Sequence, residues 1–88
     1  MLYPIAISKG DDDHAWCVEV PDLPGCFSAG QDLANVMVMA REAIEGHLEI
    51  LAEDGAPMPL ANDVAQHEDN PKYAECTWAL VDIDVRTK

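Results

Sequence analysis

The segment Val20-Pro21-Asp22-Leu23-Pro24-Gly25-Cys26-Phe27-Ser28-Ala29-Gly30 decides how this chain folds. Two prolines and a glycine end one extended run and force a tight bend before another begins. Before the bend, Ala15 to Val20 alternates. Trp16, Val18 and Val20 fall on one face, Cys17 and Glu19 on the other, as in a half-buried strand. After it, Cys26 to Ala29 reads as a short strand that Gly30 ends. Leu2 to Ser8 carries Ile5 and Ile7 and reads as the first strand. The polar run Lys9-Gly10-Asp11-Asp12-Asp13 turns it back on the second.

Asp32 is placed to cap a helix, since its carboxylate can accept from the free amides of the first turn. The helix runs to about Asp54, with Gly55 as its stop, and is roughly 34 Å long. Leu33, Val36, Met37, Ala40, Ile44, His47, Leu48 and Leu51 form its buried stripe. Pro57 and Pro59 keep the following chain extended. Asn62 to Asn70 reads as a short helix that Pro71 stops. Tyr73 to Val85 is a long fourth strand, with Thr77, Ala79, Val81, Ile83 and Val85 on one face. Cys76, Trp78 and Leu80 lie on the other, followed by Asp82 and Asp84. Its two apolar faces predict a central strand. The order β-β-β-α-β predicts an α+β domain: an antiparallel meander, a helix packed on one sheet face, and a last strand parallel to an earlier one through a right-handed crossover.

Composition bounds the function. The chain has 88 residues, 49% of them hydrophobic, enough for one small core and not two. No run of about 18 apolar residues could span a membrane. The amino terminus shows no signal peptide, so the cytoplasm is the expected compartment. Five Lys and Arg against 17 Asp and Glu give a net charge of −12. That balance disfavours direct contact with nucleic-acid phosphates and suits a basic protein partner. Cys17, Cys26 and Cys76 cannot all pair and show no Cys-x-x-Cys spacing; they read as buried structural thiols.

The acidic residues are patterned. Glu42, Glu45, Glu49 and Glu53 recur at spacings of three and four along one helix face. Like charges so placed cost a helix about 0.2–0.5 kcal/mol per pair. Glu53 and Asp54 also sit at the helix end that disfavours anions. Helix stability therefore does not account for the stripe; the two readings are a solvated face that gives solubility and a surface that steers toward a cationic partner. Asp11, Asp12 and Asp13 on the hairpin tip are candidates for the same role. Val36-Met37-Val38-Met39 is a continuous apolar run, and one stripe buries only half of it. Val38 and Met39 are therefore candidates for an oligomer contact.

Tyr3-Pro4, the acidic hairpin tip, the segment Val20 to Gly30 and the helix ending His47-Leu48-Glu49-Ile50-Leu51-Ala52-Glu53-Asp54-Gly55 together resemble HicB antitoxins. The resemblance covers nearly the whole chain, in the same order of elements. It implies a partial RNase H-like domain that binds HicA, a small basic toxin that degrades mRNA with a catalytic histidine. It implies neutralisation by covering the toxin's active site and RNA-binding surface, with no enzymatic role. Many members carry a further DNA-binding domain that contacts their own promoter and helps them dimerise. Here residues 1–85 read as the toxin-binding domain and 86–88 as a tail, so promoter binding is not expected of this chain.

Other chemistry finds little support. An RNase H-like nuclease needs clustered carboxylates around divalent metals, with an acid in the first strand. Leu2 to Ser8 has none, and Asp82 with Asp84 reads as a solvated strand end. His14, Cys17 and Cys26 match no metal or nucleophile signature. His47 reads as a packed helix residue and His67 as polar surface. The sequence thus points to no cofactor, no metal and no catalytic residue. A non-catalytic oligomeric module binding another protein or a ligand is the alternative to the antitoxin reading, with a hydrolase behind it.

Overall fold

The computed structural model of the chain describes residues 1–83. Four strands, β1 (Leu2–Ser8), β2 (Trp16–Glu19), β3 (Phe27–Gly30) and β4 (Thr77–Asp82), form one sheet in the order β3-β2-β1-β4. Helix α1 (Leu33–Glu53) packs on one face. Tyr3, Ile5 and Ile7 of β1, Val18 and Val20, and Val81 and Ile83 point toward it and are buried with Val36, Ala40, Ile44 and Leu48. The period of two in the strands thus meets the period of three to four in the helix. Leu33, expected in the buried stripe, is exposed because it occupies the first turn, beyond the sheet.

The turn after β2 forms as its residues predict. Leu23 N–H donates to the Val20 carbonyl at 3.0 Å and Cys26 N–H to the Leu23 carbonyl at 2.9 Å. Leu23 is thereby driven fully into the core. Gly25 takes φ +84°, where a side chain would be strained. The Asp32 carboxylate caps α1 by accepting from Asn35 N–H at 2.7 Å. At the other end Gly55 adopts φ +70°, and Gly55 and Ala56 N–H close on the Ala52 and Leu51 carbonyls.

Two expectations fail, for one reason. Every strand pair is antiparallel, including β4 with β1, and β4 is an edge strand rather than a central one. A parallel β4 would require the chain to enter it directly from the end of α1. Instead residues 54–76 travel back along the sheet. The Tyr3 hydroxyl donates to the Pro59 carbonyl at 2.7 Å, Tyr73 meets Glu19, and Cys76 Sγ lies 3.5 Å from Ser8 Oγ. The segment therefore begins at the Tyr3 end of β1, finishes at the Ser8 end, and starts β4 from there. It crosses the face opposite α1, over Trp78, which is why β4 looks apolar on both faces without being central. Within it, the helix expected over 62–70 reduces to a 3₁₀ turn at Val64–Gln66, and Tyr73 belongs to a second turn at Pro71–Tyr73. Asp84 and Val85, expected to continue the strand, lie outside the described residues.

Candidate partner-binding surface

The hairpin tip is held by its own aspartate. Asp11 and His14 exchange backbone hydrogen bonds at 3.0 and 3.3 Å. The Asp11 carboxylate also accepts from Asp13 N–H and pairs with His14 Nδ1, both at 2.8 Å. The His14 contact, helped by Asp13 N–H, holds the Asp11 carboxyl below its usual range. Asp12 and Asp13 are left exposed at the tip. The tip adjoins Ala29, Gly30 and Gln31 in an open recess, so it sits where α1 begins.

Glu42, Glu45, Glu49 and Glu53 are all exposed on the outer side of α1. Among the described residues none of them has an ion-pair partner. The helix's single cation, Arg41, turns away and donates Nη1–H to the Asp82 carbonyl at 2.6 Å. Glu42 lies about 14 Å along the helix from Leu33, and Glu53 about 30 Å. The tip and the stripe, expected to share one role, are therefore two separate acidic patches.

Val38 and Met39 also part company. Val38 is 56% exposed and lines a groove with Met37, Arg41, Leu80 and Val81, between α1 and β4. Met39 stands about 100° further round the helix, is half-buried, and lines no part of that groove. Leu80, on the open strand, is 50% exposed.

The face opposite α1 carries polar residues whose connection the sequence did not disclose. The Asp22 side chain is 1% exposed and accepts from Asn62 N–H at 2.9 Å and Asn62 Nδ2–H at 2.7 Å. His67 Nε2 completes the set at 2.8 Å, and its ring stacks on Trp78. Burial pushes the Asp22 carboxyl up, but the Asn62 and His67 contacts outweigh it and the net direction is down. Beside it, Glu19 takes the Tyr73 hydroxyl and lies 2.9 Å from Lys72 Nζ. Burial and then Glu19 push the Tyr73 hydroxyl up to about 12. Glu19 itself is raised by burial, but Tyr73 and Lys72 bring it below its ordinary value. His67, expected on the polar surface, is thus part of a clasp. The sign of it in the sequence was Asp22 itself, a carboxylate inside a turn whose Leu23 must be buried. Only Cys26 of the three cysteines is buried; Cys17 is exposed and Cys76 intermediate, and all three are free. Among the described residues no group of three or more His, Cys, Asp or Glu is placed to hold a metal ion, and no helix is long and apolar enough to cross a membrane.

Comparison with known proteins places this arrangement. Residues 3–88 match the family described as the HicB-like antitoxin of bacterial toxin-antitoxin systems. An uncharacterized 14.9 kDa protein from the rep-hol intergenic region of Haemophilus phage HP1 is 44% identical over 85 residues. That match covers 97% of this chain but only 62% of the phage protein, so the chain spans less than two thirds of that relative. The crystal structure of the N-terminal domain of the Burkholderia pseudomallei antitoxin HicB superposes with a TM-score of 0.84 at 37% identity, covering 97% of this chain and all of that one. A chain of a HicA3 and HicB3 toxin-antitoxin complex superposes with a TM-score of 0.80 at 34% identity, with 97% of this chain and 100% of that one covered.

Proposed function

Because the chain belongs to the HicB-like antitoxin family, we propose that it binds a small basic toxin of the HicA kind and neutralises it by covering its active site and RNA-binding surface. The observation that carries the reading is the likeness over 97% of the chain to a chain of a HicA3 and HicB3 complex. Charge supports it independently. A net charge of −12 attracts a basic protein and repels the RNA that the protein would displace. The mechanism is occlusion and needs no catalytic group, cofactor or metal.

Two patches are the nominees for meeting the toxin's cations: Asp11, Asp12 and Asp13 at the tip, and Glu42, Glu45, Glu49 and Glu53 along α1. The stripe is favoured because its acids are unpaired and cost the helix stability. A toxin that degrades mRNA would be met in the cytoplasm, the compartment this reading gives the protein and one that suits its free thiols. The test is co-expression with the toxin encoded beside this gene. Cells survive and a stable complex co-purifies if the proposal holds. Cells that die while this protein accumulates in soluble, folded form overturn it.

A further inference from the structure

Ser8 stands between two free cysteines on the sheet face opposite α1. It pairs with Cys17 across the β1–β2 ladder. On its other side Cys76 continues the register in which Ile7 faces Thr77, and Cys76 Sγ lies 3.5 Å from Ser8 Oγ. Facing residues of antiparallel strands are about 4.5–5.5 Å apart at Cα, so Cys17 and Cys76, two such steps apart, are separated by roughly 10 Å. A disulfide needs Cα atoms within about 7 Å. The closed sheet therefore keeps these two thiols from pairing with each other.

Two hollows meet here and share a wall of Ser8, Lys72 and Cys76. Cys17 lines only the smaller, of about 150 Å³, with Glu19 and Phe27. The larger, of about 610 Å³, adds Lys9 and Glu75 and falls within the roughly 300–1,000 Å³ of small-molecule sites. Cys76 is the one cysteine that lines it. Lys72 Nζ is shared with Glu19 at 2.9 Å, whereas Lys9 and Glu75 have no ion-pair partner among the described residues. A free cation, a free acid and a half-buried thiol thus border one recess, in a chain whose net charge of −12 repels anionic reagents elsewhere. The Ser8 hydroxyl is placed to donate to the Cys76 sulfur when it is charged.

We propose that Cys76 is a modification site for a small zwitterionic disulfide of the glutathione type, which this recess holds during exchange. Carboxylates of the incoming molecule meet Lys9 and Lys72, and its ammonium meets Glu75. The Cys76 thiol gives up its proton, and its sulfur attacks one sulfur of the reagent. The bond from Cys76 to glutathione forms, the reagent's own S–S bond breaks, and the departing glutathione thiolate takes up the proton. Cys76 is oxidised, one glutathione is reduced, and nothing else is consumed. Cys17 stands too far away to displace the new disulfide, so the adduct persists as a one-to-one cap until an outside thiol removes it. Cys26 takes no part because it is buried. Cys17 is exposed, but its S–H donates to the Ala15 carbonyl at 3.7 Å and its hollow lacks Lys9 and Glu75.

Mass spectrometry with peptide mapping of the whole chain, incubated with glutathione disulfide, tests this. One adduct is expected, at Cys76, forming at least severalfold faster than at Cys17, with no disulfide between the two. Lys9→Gln combined with Glu75→Gln leaves the net charge unchanged and alters only exposed positions. The pair is expected to slow the reaction severalfold. Its rate with hydroxyethyl disulfide, which carries no charge, is expected to stay as in the native chain. Absence of an adduct, or equal rates at Cys17 and Cys76, overturns the proposal. So does a double variant that reacts with glutathione disulfide as fast as the native chain, or that slows equally with the neutral reagent. A disulfide between Cys17 and Cys76 in the folded protein overturns it as well.

Discussion

His67 Nε2 sits 2.8 Å from the carboxylate of Asp22, a side chain 45 positions earlier that is only 1% exposed to solvent. The contact ties the returning segment to the turn between β2 and β3. Asp22 also holds both amide groups of Asn62, so one buried carboxylate fixes two points of a long connection. The fold's departure from a parallel crossover depends on this segment staying down.

Asp22→Ala is expected to lower stability by about 1–3 kcal/mol, because it removes the hydrogen bonds that Asn62 and His67 make to a buried carboxylate. The pH dependence has a defined sign. The Asp22 carboxyl is held below its ordinary value of 3.8 in the folded state. The unfolded chain therefore binds more protons in acid, and the contribution is complete above the unfolded value and lost as pH falls through the folded one. Glu19, also lowered, adds in the same direction. Denaturant melts from pH 6 down to about pH 3 should lose stability steeply in the native protein and less in Asp22→Asn.

The second clasp reports from the alkaline side. Burial and Glu19 push Tyr73 up to about 12, and burial, then the Asp22 charge, raises Tyr3. These are the two tyrosines of the chain. An ultraviolet titration should show no hydroxyl ionising at the ordinary value of 10 until the protein unfolds. Since the folded value lies above the unfolded one, this stability is present below pH 10 and fades as pH rises toward 12. Tyr73→Phe should leave one transition, from Tyr3, and reduce stability by roughly 1 kcal/mol.

What the sequence disclosed was local. Asp32, Gly55 and the Pro-Asp-Leu-Pro-Gly turn act through neighbours a few residues away, and each does what its chemistry dictates. The stripe from Val36 to Leu48 was legible because a helix against a sheet must repeat every three to four residues. The direction of β4 was not. It is set by residues 54–76, a stretch with no long periodicity, through contacts such as Tyr3 with Pro59 and Asp22 with His67 that span more than 40 positions. Trp78 misled for the same reason: covered by His67 and Tyr73 rather than by a second layer, it gave an edge strand the composition of a central one. For the candidate surface, charge placed the acids on the outside, but only three dimensions separate the hairpin tip from the helix stripe.

The stripe on α1 allows function to be separated from stability. Replacing Glu45 and Glu49 with Gln removes like-charge neighbours and should raise helix stability by about 0.2–0.5 kcal/mol per pair relieved. If the stripe steers the toxin, the same change slows association by severalfold to tenfold while dissociation changes little. Stopped-flow binding alongside thermal melts distinguishes the cases. A variant more stable and equally fast in binding would mean that the stripe only solubilises the protein. The corresponding change at Asp12 and Asp13 should leave melting unaltered and probes the tip by itself.

Salt should act on the proposed association in one direction. A basic toxin is drawn by this chain's charge of −12, so screening slows its approach and weakens the complex. Raising salt from about 50 mM to 500 mM shortens the screening length from roughly 14 Å to 4 Å. Across that range the dissociation constant for the toxin should rise, chiefly through slower association. A constant that salt leaves unchanged would mean that the acidic patches contribute nothing to the encounter.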